Sequence, residues 1–323
     1  MFRSWYRAAM AAGLIICSGS FANAQSGTSR PAGRIAYSDG DICLVNAGGS
    51  GARRCLPRTY DNYAPVAWSA DGRRLAFERH YDSPRRDCCV EVLIMGADGR
   101  GKVRLTPRGM EDSGPAWSPV APRIAFTRRK GYSAPGIYVA NADGSDARDL
   151  RRDASEPAWS PDGRKIAFMA VRQGVSGTYV INADGTGVGL VRRGVWGAQW
   201  SPDGRSLLVV GPGITKHVLV MNVNGSGLRR LTRSCQEDYN AAWSPDGRKI
   251  AFTCYRKNED IYTINVDGTG LQRLTSNPKS DSYPAWSPDG QWIAYVGYKG
   301  GENGVWVMRS DGTLHRRITP LHP

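Results

Sequence analysis

The chain has 323 residues, 41% of them hydrophobic, and 43 Lys and Arg against 29 Asp and Glu give it a formal charge of +14. That length and apolar share permit a sizeable core and exclude a disordered polyelectrolyte. The four histidines are widely separated and no Cys or His spacing matches a zinc pattern, so neither a metal nor any other cofactor is expected.

Residues 1–24 read as a secretory leader. Arg3 and Arg7 form a positive start, Ala8 to Ile16 an apolar stretch, and Ala22-Asn23-Ala24 a small-x-small cleavage site. The apolar run is shorter than the roughly 20 residues a membrane span needs, so a soluble periplasmic or secreted product cut after Ala24 is expected. Ile16 precedes Cys17, where a lipoprotein leader would carry a small residue. Export argues against nucleic acid as a partner of the basic chain. An anionic envelope polymer or an acidic protein suits its charge better.

Residues 25–32 form a short linker, and a repeat then fills 33–319, leaving a tail at 320–323. Its signature is Ala-Trp-Ser-Pro-Asp-Gly-Arg-Lys-Ile-Ala-Phe, read around Trp68, Trp117, Trp159, Trp200, Trp243 and Trp286 at spacings of 49, 42, 41, 43 and 43 residues. A second motif, such as Ile261-Tyr-Thr-Ile-Asn-Val-Asp-Gly-Thr-Gly-Leu-Gln-Arg-Leu-Thr275, follows each copy. In one unit a short apolar strand A meets a Ser-Pro-Asp-Gly turn, where Pro presets φ and Gly takes the left-handed corner. Strands B and C follow, then a glycine turn, then an Arg-rich strand D suited to a solvated edge. Four short strands repeating every 40–45 residues predict an all-β propeller, with the tryptophans as packing wedges between blades. In unit three Pro119-Val-Ala-Pro122 replaces Pro-Asp-Gly, which predicts a distorted turn.

Six A strands are visible, but B, C and D each occur seven times, the extra set being Arg34–Tyr37, Asp41–Val45 and Arg53–Leu56. Seven blades are favoured over six, with the missing strand expected from residues just before Gly33 or from the tail. Six cysteines remain after the leader: Cys43, Cys55, Cys88, Cys89, Cys235 and Cys254. Cys43 and Cys55 lie on neighbouring strands, and Cys235 and Cys254 reach one face, so disulfides are permitted while their pairing stays open.

The D–A and B–C connections share the face opposite the tight turns and vary in length, which is where binding residues belong. The longest departures are 78–89 and 127–135. Asp112, Asp238 and Asp281 stand five residues before a tryptophan, with Asp61 and Glu156 close by, and Tyr63, Trp196, Tyr239 and Tyr283 are interleaved. These nine residues are expected to form an acidic, aromatic mouth around the central channel, suited to a cationic peptide segment or a metal ion. Strand-entry carboxylates also commonly cap local backbone. No Gly-x-Ser-x-Gly elbow exists, and no serine has a partnering His.

The unit Pro-Ala-Trp-Ser-Pro-Asp-Gly-Arg-Lys-Ile-Ala-Phe resembles the repeat of the TolB-like propellers over residues 33–319. The resemblance implies a periplasmic, non-enzymatic, monomeric propeller that binds a protein or peptide in the envelope. In the family's founding member an α/β domain precedes a six-bladed propeller, whereas here only a few residues are expected between the leader and the first blade. Similar repeats occur in prolyl-oligopeptidase-type enzymes and oligogalacturonate lyases, so a polyuronate lyase and an envelope-polysaccharide-binding module stand as alternatives. The lyases use several histidines and a metal, against which only His80 and His217 fall near loops here.

Overall fold

A computed structural model of the chain describes residues 15–18, 34–38, 42–48, 54–55, 62–80, 90–107, 109–131, 133–172, 174–211, 216–299 and 302–320. Their strands form seven four-stranded antiparallel sheets, each a meander in which consecutive strands are neighbours. The sheets occupy 15–55, 62–104, 111–152, 154–193, 196–230, 237–273 and 282–320. Innermost strands touch at the other junctions, including the first against the last, while the fifth sheet meets the sixth through Val218–Asn222 against Glu237–Trp243, so the ring closes.

Seven hydrophobic clusters sit between the sheets rather than within them. Ile35, Tyr37, Cys43 and Val45 of the first sheet share a core with Trp292, Ala294, Val305 and Val307 of the last. Ala36, Ile42 and Leu44 on the opposite face join Trp68, Leu75 and Phe77 of the second. The alternation of side chains along a strand thus sends one set of residues to each neighbour. On the blade faces, the B-strand Phe and C-strand Tyr stack directly across the ladder, as in Phe168 with Tyr179 at 5.7 Å.

The first sheet corrects one expectation. Its innermost strand is Ile15–Ser18, paired with Arg34–Ser38, so the missing strand comes from within the apolar leader segment, not from residues next to Gly33. The tail does not supply it either, since Arg316–Pro320 is the outer strand of the last sheet. An apolar Ile-Ile-Cys run has the β-branched character of an inner strand as well as that of a leader.

Two repeated devices hold the sheets in register. In the turn after each tryptophan, Ser160 Oγ donates to Asp162 at 2.6 Å and accepts from the Lys165 amide at 2.9 Å. The same contacts recur at Ser69, Ser201, Ser244 and Ser287. In unit three the outer bond from Ser118 N to Arg123 O persists at 2.9 Å, while the Arg123 amide turns to Ala121 O at 2.7 Å. Between sheets, each indole N–H reaches back to the carbonyl just before the preceding tryptophan: Trp117 to Ala67, Trp159 to Ala116, Trp200 to Ala158, Trp243 to Gln199 and Trp286 to Ala242, at 2.9–3.4 Å.

Disulfides join Cys43 to Cys55, directly opposite on neighbouring strands, and Cys235 to Cys254, which ties the D–A connection of the sixth sheet to its strand B. Cys88 and Cys89 lie outside the described residues, with most of the 78–89 connection. Among the described residues no helix is long and apolar enough to cross a membrane.

Candidate functional site

Each innermost strand from the third sheet onward enters the ring through the same irregularity. The ladder to strand B slips between the fourth and first residues before the tryptophan, at Ser113–Ala116, Ser155–Ala158, Trp196–Gln199, Tyr239–Ala242 and Ser282–Ala285. The residue three before the tryptophan takes a left-handed backbone: Gly114 at φ 60°, Glu156 at 56°, Gly197 at 66°, Asn240 at 50° and Tyr283 at 57°. Glycine accepts that conformation freely, whereas Glu, Asn and Tyr adopt it only where their surroundings hold them. A bulge re-aims side chains, so these positions depart from the regular in-and-out alternation of the strand.

Neighbouring sheets hold the bulges in place. The amide of Gly114 donates to Glu78 at 2.6 Å, that of Glu156 to Thr127 at 3.1 Å and that of Tyr283 to Thr253 at 3.3 Å. Each acceptor stands on strand B of the preceding sheet, ten residues after its tryptophan. The sequence reading overlooked this position, although the recurring offset was there to find.

Asp112, Asp238 and Asp281 are fully buried, each at 0% exposure. Their offset explains it: the same place in the fourth and fifth sheets is filled by buried Ala154 and Val195. An Asp there must be satisfied internally. Asp112 receives a forked pair of bonds from Arg128 at 2.9 and 3.0 Å. Burial raises its carboxyl, with Arg128 pulling it down. Asp238 accepts from the Val218 amide and the Thr232 hydroxyl, with His217 Nδ1 at 3.3 Å. Asp281 accepts from Asn277 at 2.5 Å. These three aspartates are therefore engaged inside the fold and present no surface of their own.

Of the other named residues, the side chains of Glu156, Trp196, Tyr239 and Tyr283 are described, and none of these four is fully buried. Glu156 keeps an exposed edge but is crowded elsewhere by protein, and this desolvation raises its carboxyl against a bond from the Gly197 amide. Half-buried Tyr239 donates to Glu259 at 2.5 Å. Burial and then that bond push its phenol up. Tyr283 lies against the same carboxylate and bonds Asn240, its phenol also raised, first by burial and then by Glu259. Half-buried Trp196 begins the fifth innermost strand. Tyr239, Asn240, Glu259 and Tyr283 thus form one cluster across the sixth and seventh sheets, in which Asn240 and Glu259 were not foreseen. Tyr63 lies in the second innermost strand opposite Arg79, and Asp61 falls outside the described residues.

The two loop histidines stay apart. His80 Nε2 sits 2.9 Å from Glu78 on the second sheet, while His217 pairs with Asp238 between the fifth and sixth. Among the described residues no three His, Cys, Asp or Glu side chains are grouped to hold a metal ion.

Against this geometry, a sequence model of the TolB β-propeller domain matches residues 155–259 and 240–321, together just over half the chain. The Tol-Pal system protein TolB of Bordetella avium is 30% identical over 151 residues, 42% of this chain and 34% of that protein. An uncharacterized peptidase of Bacillus subtilis, YuxL, is 30% identical over 112 residues, 33% of this chain and 16% of that one. The matched stretch thus spans only about a third of the first relative's length and about a sixth of the second's. Among solved structures, TolB from Acinetobacter baumannii superimposes with a TM-score of 0.58 at 18% identity, covering 98% of this chain and 82% of that one. An oligogalacturonate lyase in complex with manganese gives 0.65 at 14% identity, covering 96% and 86%. At such identities these likenesses speak to the fold alone.

Proposed function

The chain belongs to the TolB β-propeller family, and from that premise we propose that it is an exported, non-enzymatic propeller binding an extended cationic peptide segment of an envelope protein. The observation that carries this reading is the recurring bulge, which places strained backbone at Glu156, Asn240 and Tyr283, the last two clustered with Tyr239 and Glu259. Aromatic faces flanked by carboxylates suit a Lys or Arg side chain, through cation–π contact and charge. Glu156, Trp196, Tyr239 and Tyr283 are the contact residues of the proposal, while buried Asp112, Asp238 and Asp281 are engaged inside the fold. Asp61 and Tyr63 are kept as further contact residues of the proposal. The two disulfides suit an oxidising compartment such as the periplasm.

The test is capture from an envelope extract by the full-chain protein beside a Glu156→Gln, Trp196→Ala, Tyr283→Ala variant, with folding checked by thermal melting. One envelope protein retained by the native chain and lost by the folded variant supports the reading. Equal capture by both overturns it.

A lyase reading draws on the likeness to the manganese-bound enzyme. His80 and His217, each engaged by a carboxylate of its own, give it little chemistry to work with. Polygalacturonate incubated with the protein and Mn²⁺ decides the matter: an unsaturated product seen by ultraviolet absorbance would replace the binding proposal.

A further inference from the structure

The charge of this protein is segregated. The seven outermost strands carry twelve arginines and one carboxylate, Asp149. These strands therefore hold +11 of the formal +14, leaving the rest of the chain close to neutral. None of the chain's eight lysines lies on them.

Arginines elsewhere are balanced. Arg73, Arg164, Arg205 and Arg248 in the tight turns each lie beside a turn aspartate, Asp71, Asp162, Asp203 or Asp246. On the outer strands of the second and sixth sheets, Arg104 and Arg273 are tied to Glu91 and Asp260. The third to fifth sheets differ. Arg148, Arg192 and Arg229 reach across the groove to backbone carbonyls of the next sheet, at Ala183, Gly225 and Val266. Arg230 donates to the Cys235 carbonyl at 3.4 Å, and Arg193 is exposed beside them. Arg148 and Arg229 also lie near turn aspartates of the next sheets, Asp184 and Asp267, and Arg152 pairs with Asp149. The carbonyl bonds of Arg192 and Arg230, by contrast, leave their positive charge uncompensated.

Solubility alone calls for mixed signs, because a single-sign field destabilises the fold by self-repulsion. Guanidinium groups offer planar forks that match carboxylates and phosphates better than ammonium groups do. The outer strands contain no aromatic residue, so they lack the stacking platform on which single-stranded nucleic acids are held. Two disulfides suit an extracytoplasmic, oxidising compartment, where anionic polysaccharides occur.

We propose that the outer strands of the third, fourth and fifth sheets form a binding stripe for an anionic polysaccharide, whose carboxylates pair with successive arginines across the inter-sheet grooves. The stripe is distinct from the channel mouth and does not depend on what the mouth binds.

The probe is soluble alginate, titrated into the full-chain protein at two salt concentrations, with dextran as the neutral polymer. The variant Arg151→Gln, Arg193→Gln, Arg230→Gln leaves the three inter-sheet arginine bonds intact. The variant Arg164→Gln, Arg205→Gln, Arg248→Gln removes the same charge from the turns. The expected result is alginate binding without dextran binding, weakened about tenfold or more in the outer variant and less than about twofold in the turn variant. The slope of log affinity against log salt should fall by roughly one per outer arginine removed. If the glutamine variant fails to fold, Arg151→Lys, Arg193→Lys, Arg230→Lys keeps the charge without the fork, and an affinity below the native chain's is expected. Equal losses in the outer and turn variants, unchanged affinity in the lysine variant, absence of alginate binding by the native protein, or tighter binding to single-stranded DNA at the same salt would each overturn the proposal.

Discussion

A single indole donor joins each blade from the third onward to the one before it, so one tryptophan serves both packing and hydrogen bonding. Trp159→Phe keeps most of the wedge and removes the bond to Ala116; a loss of about 1–2 kcal/mol is expected in urea unfolding, against about 3–5 for Trp159→Ala. Two arginine–aspartate pairs make a sharper contrast. Arg128, its side chain 11% exposed, would be stranded by Asp112→Ala, at an expected cost of about 3–5 kcal/mol. Arg152, with its side chain 89% exposed, pairs with Asp149 in water, and Arg152→Ala should change stability by less than about 0.5 kcal/mol. Nothing in a one-residue reading separates Asp112 from Asp149. The separation was nevertheless written in the repeat, because Ala154 and Val195 occupy the register of Asp112 and mark it as core.

At the scale of the element, the turns set the response to acid. Asp71, Asp162, Asp203 and Asp246 accept from a serine hydroxyl and a backbone amide, and in the second turn of their blades Asp143 accepts likewise from Ser145, and Asp184, Asp267 and Asp311 from the hydroxyl and amide of Thr186, Thr269 and Thr313. All eight carboxyls are held below the ordinary value of 3.8. A group whose folded pKa is depressed adds stability above its unfolded value and loses it as pH falls through the folded one. Thermal midpoints should therefore hold until about pH 4 and fall progressively below it, and Ser160→Ala should lessen that dependence. The disulfide between Cys235 and Cys254 closes a loop of 19 residues, so Cys235→Ala with Cys254→Ala should cost about 3 kcal/mol and remove the effect of reductant at this bridge. These turns were legible in the sequence because Ser-Pro-Asp-Gly and Asn-x-Asp-Gly carry their own hydrogen-bond chemistry. The bulge before each tryptophan was not: Glu156, Asn240 and Tyr283 share no residue type, and only the pairing of neighbouring sheets forces their backbone.

At the scale of the molecule, the ring is held by seven inter-sheet cores, one of which joins the first sheet to the last. Ile15–Ser18 covers the inner edge of Arg34–Ser38, whose Ile35, Ala36 and Tyr37 are at most 1% exposed. A chain beginning at residue 25 should expose that edge, and hydrogen exchange at the amides of 34–38 should be faster than in the full chain, while the sixth sheet is unchanged. The sequence alone determined the all-β class, the four-stranded unit, the place of each turn and the wedge role of the tryptophans, because these depend on local chemistry repeated at a fixed period. Tertiary structure decided the rest. Which carboxylates are sealed and which keep an exposed edge, which cysteines meet, where the first inner strand comes from, and how arginines separated by some forty residues line up on neighbouring outer strands all depend on side chains from different sheets meeting in space. Burial and proximity of that kind are properties of the closed ring, and no single repeat contains them.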